Sequence, residues 1–162
     1  MDHRERSTSV PESAWHSTAE WQLSEGVWET QGGGKLQATF ARASEVEVSL
    51  QVELGPDTEL SLKLGFRHDL EANGELGSGM DGAYLFRCGQ GRGERYTIER
   101  LGCAGGRLYG ECWEPDAAVP GSHLVTCAAR DGRLSLSVDD VEIISVRDSF
   151  PLTHLDAVCV AT

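Results

Sequence analysis

The sequence predicts an all-β fold of two packed antiparallel sheets, on three observations. Residues 133–138 alternate, with Leu134, Leu136 and Val138 on one face and Arg133, Ser135 and Ser137 on the other. That is the period of a strand with one buried and one wet face. Residues 45–54 and 59–67 repeat the pattern: Val46, Val48, Leu50, Val52 and Leu54, then Leu60, Leu62, Leu64 and Phe66, each form an apolar row. Similar short runs, about ten to twelve in all, alternate with Gly-rich turns along the chain and leave no convincing amphipathic helix, which points to a sandwich or barrel. No repeat of about 20–50 residues is visible, which argues against a propeller.

In chain order, residues 1–18 are polar, rich in Ser and Thr and without periodicity, and are expected to form a flexible arm ahead of a domain over 19–162. Trp15 is the one residue of that arm suited to docking. Runs at 21–23 and 27–30 precede the turn Gly32-Gly33-Gly34 and a run at 35–40. Gly55-Pro56-Asp57 separates the two long alternating runs, which are expected to pair as a hairpin. Residues 69–82 read as a Gly- and acid-rich loop. Runs at 83–88, 96–101 and 107–112 are separated by turns at 89–93 and 103–106, and a loop at 114–121 holds Pro115 and Pro120. The run 123–129 leads to 133–138 and 141–146, joined at Asp139-Asp140, and a turn over 147–152 precedes the last run, 156–161.

Size and charge bound the function. The 162 residues are enough for one domain with a sizeable core, and the 40% apolar content fits a globular chain. With 26 acidic against 14 basic residues the formal charge is −12. Such a surface repels nucleic acid and anionic lipid, so neither is expected as a partner. No apolar run is long enough to span a membrane, and the N-terminus has no apolar leader core. The expected location is therefore cytoplasmic, or else the chain is a module of a longer protein. The five cysteines include no C-x-x-C pair, which argues against zinc-ribbon and thioredoxin-like readings. Cys103 and Cys112 are spaced to bridge a hairpin in an oxidising compartment; otherwise the thiols are expected to pack as small hydrophobes.

Several motifs carry a family resemblance. Trp21-x6-Trp28 with Gly32-Gly33-Gly34-x-Leu36 resembles the opening of concanavalin A-like lectin/glucanase domains. Leu64-Gly65-Phe66-Arg67 followed by Asp81-Gly82-Ala83-Tyr84 resembles the middle of the 3-keto-disaccharide hydrolase-like branch; a laminin-G-like domain is the neighbouring reading. Asp131-Gly132-Arg133-Leu134-x-Leu136-x-Val138-Asp139, with Asp148-x-x-Pro151-Leu152, resembles the closing hairpin of the superfamily. The resemblance spans residues 20–162 and implies a two-sheet antiparallel jelly-roll β-sandwich, concanavalin A-like, that binds or cleaves glycans on its concave face. The chain departs from it at Asp140, where the family has a turn Gly, and at Thr162, where relatives continue into another strand; the N-terminal segment is the candidate to supply that strand.

Candidate site residues fall into three groups. Laminarinase-like members of the superfamily carry an E-x-D-x-E strand motif, which puts carboxyls on one strand face; a retaining glycosidase needs two of them about 5–5.5 Å apart. The nearest match, Glu45-Val46-Glu47-Val48-Ser49, has Ser in place of the third acid, so Glu45 and Glu47 form an incomplete catalytic pair. Glycan binding needs ring platforms and planar hydrogen-bonding groups. Gln51, Lys63, Arg67 and Arg87 lie outward by parity, and Tyr109 and Trp113 are placed to form a rim beside them; Trp21 and Trp28 are assigned to the core. For calcium, Asp69, Glu71, Asn73 and Gly74 match the first half of a calcium-binding loop, with Asp81 as a further ligand, but the twelfth position is Met80 and the helix–loop–helix pattern fails. No other cofactor is implied. The five histidines are scattered, and 89–93 reads as a hairpin turn rather than a phosphate loop.

The expected function is a non-catalytic carbohydrate-binding or accessory module. A glycoside hydrolase related to the 3-keto-disaccharide hydrolases is the alternative, and a protein-interaction or assembly module the third reading. The partner is then a glycan or another protein domain. The charge of −12 carries a test of its own: a gel-shift titration at physiological salt is expected to show no retardation of DNA or RNA, and a sub-micromolar complex overturns the exclusion.

Overall fold

The computed structural model describes residues 15–17, 21–24, 27–30, 33–55, 58–89, 95–102, 107–113 and 120–162. Its strands, in chain order, are β1 (Trp15–Ser17), β2 (Trp21–Ser24), β3 (Val27–Thr30), β4 (Lys35–Ala43), β5 (Val46–Leu54), β6 (Leu60–Gly65), β7 (Ala83–Gly89), β8 (Arg95–Leu101), β9 (Arg107–Trp113), β10 (Gly121–Arg130), β11 (Arg133–Val138), β12 (Val141–Arg147) and β13 (Leu155–Ala161). A seven-stranded sheet in the order β1-β4-β13-β6-β7-β8-β9 packs on a four-stranded sheet, β12-β11-β10-β5, and β2 pairs with β3. All pairings among the described residues are antiparallel. One short helix, α1 (Arg67–Asn73), lies in the segment expected as a loop from 69 onward. Trp15–Ser17, assigned to the flexible arm, instead adds an edge strand to β4, and Trp15 packs against the core.

The apolar rows read from the sequence do face the core. Leu60, Leu62, Leu64, Leu134, Leu136 and Val138 are buried, with Tyr84, Phe86, Tyr96, Ile98 and Val158 from the central strands of the larger sheet. The expected hairpin between the two long alternating runs is corrected. β5 pairs with β10 in the smaller sheet, while β6 pairs with β13 and β7 in the larger one. Two consecutive strands with matching apolar rows bury them by pairing side by side or by facing each other across the core. The chain takes the second course, crossing between sheets after Gly55, where Gly55 N–H donates to Thr58 Oγ1 and Thr58 N–H returns to Gly55 O.

The closing hairpins follow their turn chemistry. Asp131 and Gly132 (φ 48° and 75°) and Asp139 and Asp140 (φ 51° and 64°) put both central residues in the left-handed region, as two-residue type I′ turns require. Asp tolerates that region better than most residues, so Asp140 replaces the expected Gly without breaking the turn. Asp139 then anchors the turn to β10: Leu124 N–H donates to Oδ1 at 2.9 Å, and Oδ2 lies 2.8 Å from His123 Nδ1. The His123 contact, with the Leu124 bond, holds the Asp139 carboxyl below its ordinary range.

The two sheets are tied by Asp148, just past β12. Its carboxylate is buried and accepts from Tyr84 of β7 (2.9 Å), Arg100 of β8 (2.9 Å), Tyr109 of β9 (3.1 Å) and the backbone N–H of Phe150 (2.9 Å). Tyr84 Oη in turn accepts from Leu152 N–H at 2.8 Å, and Asp148 N–H donates to Gly132 O at 2.8 Å. Burial raises the Asp148 pKa, but the Phe150 and Tyr84 bonds and the Arg100 charge outweigh it, so the carboxyl sits below the ordinary aspartate range. Close approach of the sheets shows also at Gly110 of β9, where a Cβ would come within 2.7 Å of Val146 and 2.9 Å of Ile144 on β12. Cys88, Cys127 and Cys159 are buried free thiols, and burial pushes Cys88 up to about 12, so they act as small hydrophobes. Cys103 lies outside the described residues.

Two outcomes follow from this packing. Leu62→Ala, at a position 1% exposed, is expected to cost about 2–5 kcal/mol in denaturant unfolding; a loss below about 0.5 kcal/mol, the scale of a surface change, contradicts the assignment of that face. Because the native pKa of Asp148 is depressed, its contribution is complete above the unfolded-state value of about 3.9 and is lost as pH falls through the lower native value. The melting temperature of the parent should therefore drop on acidification below about pH 4 more steeply than that of Asp148→Asn, and parallel pH profiles would contradict this role.

Candidate functional site

The outer face of the seven-stranded sheet, opposite the core, carries the candidate site. Strand alternation sends Leu62 and Phe86 inward, and therefore sends Ser61, Lys63, Leu85 and Arg87 outward on the paired strands β6 and β7. The neighbouring strands add Cys159 and Ala161 from β13 and Lys35 from β4. With Glu59 and Glu75 these residues line a groove of about 270 Å³. One part of the same outer face is roofed: Leu70 of α1 and Leu76 after it pack on Ala83, Ala157 and Cys159. The packing beneath that roof is close: a Cβ on Gly65 would lie 3.1 Å from Ala83 and 3.4 Å from Leu76.

The loop after α1 makes the groove's wall. The helix ends at Gly74, whose left-handed backbone (φ 69°) turns the chain back toward the sheet. Asp69 fixes the following turns: it is buried, and its Oδ2 accepts from the backbone N–H of Gly77 (3.0 Å) and Gly79 (3.3 Å). Glu75 is thereby held over the sheet, with Oε1 2.7 Å from Lys63 Nζ and 3.3 Å from Lys35 Nζ. The Lys63 hydrogen bond and charge, reinforced by Lys35, hold the Glu75 carboxyl below the ordinary glutamate range. Arg87 is half-buried, with its Nε 3.7 Å from Glu99 and 3.9 Å from Glu59, contacts too long for tight hydrogen bonds. Burial pushes the Cys159 thiol up, so it lines the groove as an apolar surface rather than as a thiolate.

Of the residues singled out for ligand binding, Lys63 and Arg87 come together in this groove. Gln51, Arg67 and Tyr109 do not face it. Gln51 shares their outward parity but sits on β5, on the far side of the sandwich, where its amide donates to Ser122 Oγ. Arg67 begins α1 and is engaged by Phe40 O through its guanidinium and Asp156 Oδ1 through its backbone. Tyr109 is turned inward to Asp148 by an irregularity between β8 and β9: Ile98 pairs with Gly110 and Glu99 with Leu108, leaving Tyr109 unopposed. Trp113 pairs with Arg95 by register; its side chain, like those of Trp21 and Trp28, lies outside the described residues. The expectation of one groove shared by Gln51, Arg67 and Arg87, with a ring from Tyr109 or Trp113, is thus corrected at Gln51, Arg67 and Tyr109.

The carboxylate candidates are also dispersed. Glu45 lies in the bend before β5, and Glu47 lies on the outer face of the smaller sheet, 2.8 Å from Arg130. Among the calcium candidates, Asp69 gives Oδ2 to backbone N–H groups while its buried Oδ1 lies 3.6 Å from His68 Nε2, Glu71 and Asn73 are exposed on α1, and Asp81 lies 3.3 Å from His68. Among the described residues no three acidic, His or Cys side chains converge as metal ligands. Sequence reasoning missed Lys35, Glu59, Ser61 and, above all, Glu75. It has no alternation or motif to mark it, and only the fold of the loop brings it to Lys35 and Lys63.

No family model matches the sequence, and no curated protein matches it. Solved structures do match in fold. The chain is similar to the carbohydrate-binding module CBM66 from Bacillus subtilis, with TM-score 0.63 and 12% identity over 91% of this chain and 87% of that one. A protein of unknown function with a galectin-like fold from the same organism gives 0.61 and 13%, over 91% and 82%. A β-glucanase from Bacillus licheniformis gives 0.60 and 8%, over 94% and 79%. At such identities the likeness bears on fold alone. The chain is a two-sheet antiparallel jelly-roll β-sandwich.

Proposed function

We propose that the chain is a non-catalytic carbohydrate-binding module whose ligand lies in the groove on the outer face of the seven-stranded sheet. The observation that carries this reading is the groove itself. Ser61, Lys63, Arg87 and Lys35 offer donors, and Glu59 and Glu75 offer acceptors, above a floor of Leu85, Cys159 and Ala161. A row of donors and acceptors over a narrow apolar strip suits a sugar, whose ring presents C–H faces between hydroxyls. The fold likeness to a carbohydrate-binding module supports the ligand class.

Binding is favoured over hydrolysis by the state of the carboxylates. A glycosidase needs a carboxyl kept protonated near neutral pH as its general acid. Glu75, in the groove, is held in the opposite sense by Lys63 and stays ionised. Glu47 is paired with Arg130 on the other sheet, and Glu45 lies off the strand. A hydrolase related to the 3-keto-disaccharide hydrolases would need its acid elsewhere.

A glycan array followed by calorimetric titration of the best ligand tests the proposal. Arg87→Ala should weaken that ligand by roughly tenfold, the scale of a lost charged hydrogen bond, with little change in melting temperature, because the guanidinium's existing contacts are long. Absence of binding to any glycan, or full affinity in Arg87→Ala, sinks it.

A further inference from the structure

Resting on the carbohydrate reading, we infer that the groove selects acidic sugars, and that Glu75 occupies the carboxylate position of such a ligand when none is bound. Lys35 and Lys63 come from β4 and β6, the two strands flanking β13, and both reach over β13 to one oxygen, Glu75 Oε1, at 3.3 and 2.7 Å. Two ammonium groups converging on a single carboxylate oxygen are a carboxylate receptor already assembled. Arg87, on the next strand, adds a third cation to the same groove.

The occupant of that receptor is displaceable. Glu75 follows the C-terminal turn of a seven-residue helix, and its side chain is 48% exposed, whereas that of Lys63 is 17% exposed. Lys63 is therefore set in the sheet, Lys35 stands more open at 36% exposed, and the anion rests on them from outside. A uronate carboxylate entering along the groove replaces one charge-assisted contact by another of the same kind, and its ring hydroxyls reach Ser61 and Arg87. An uncharged sugar must either leave Glu75 in place or take from Lys63, 17% exposed, the carboxylate that neutralises it, which is costly. The overall charge of −12 does not prevent this: beyond about 8 Å at physiological salt the surface field is screened, and the local pair decides. A long polyanion, spread over the acidic surface, is disfavoured relative to a short acidic oligosaccharide.

The test uses trigalacturonate and its carboxyl-reduced counterpart as probes, with the parent chain, Glu75→Gln and Lys63→Met, beside an array that holds both neutral and acidic glycans. Glu75→Gln keeps the size of the side chain and removes the internal competitor. It should bind the acidic probe roughly fivefold more tightly, the scale of one partly exposed ion pair, with no such gain for neutral glycans. Lys63→Met, which keeps the apolar stem, should weaken the acidic probe, and the parent's affinity should fall as salt is raised. Array binding confined to neutral glycans, or equal affinity of Glu75→Gln and parent for the acidic probe, overturns the acidic-sugar inference and leaves the carbohydrate reading standing. No glycan binding at all overturns both.

Discussion

One buried carboxylate organises this sandwich. Asp148 follows the last strand of the smaller sheet, and three consecutive strands of the larger sheet, β7, β8 and β9, each send it a hydrogen-bond donor. A lone buried charge is expensive, and removing one partner of a buried network costs more than the network returns as a whole. The consequence is positional. Tyr84, Arg100 and Tyr109 must lie at the heights at which they meet that one group, and this fixes how the sheets are offset. Leu152 N–H on Tyr84 Oη extends the constraint into the connection to β13, the strand that enters the middle of the other sheet. The Asp148-x-x-Pro151-Leu152 motif, read in the sequence as a sign of family, thus has a physical role in the fold.

The sequence shows faces clearly and partners poorly, for a simple reason. Alternation is local: Leu60, Leu62 and Leu64 must point together whatever strand lies beside them. Pairing is not local. β5 and β6 carry matched apolar rows and a turn signal between them, which fits a hairpin as well as a crossing between sheets. The crossing wins because it sets those rows against each other across the core. Where turn chemistry alone decides, as at Asp139-Asp140, the hairpin is as the sequence predicts. The helix α1 escaped notice because seven residues with an acidic, Gly-rich continuation show no apolar periodicity.

The candidate site divides along the same line. Lys63 and Arg87 were legible because they share a face on strands that do pair. Gln51 has the same outward parity, but parity is defined within one strand and carries no information about which sheet the strand joins. Tyr109 shows the other failure. The sequence places it on a rim, and the side chain instead turns inward at one unopposed residue in β9. That reversal serves Asp148, so a feature of the core overrode the pattern of the surface. Glu75 could be found only in three dimensions.

The two outer faces of the sandwich differ in a way that bears on where a ligand can sit. On the smaller sheet the polar groups satisfy one another across neighbouring strands: Ser49 with Thr126, Gln51 with Ser122, Arg130 with Glu47, and Arg133 with both Ser145 and Glu142. A ligand there would have to break several short contacts. On the larger sheet the loop held by Asp69 rises beside the strands and encloses a cavity, and the charges beneath are joined by one short contact and several long ones. Burial strengthens a hydrogen bond to a ligand, and loosely satisfied partners lower the cost of making it. The roofed sheet is therefore the face on which polar recognition gains most, and the loop that roofs it supplies both the wall and, through Glu75, the group that a ligand would have to displace.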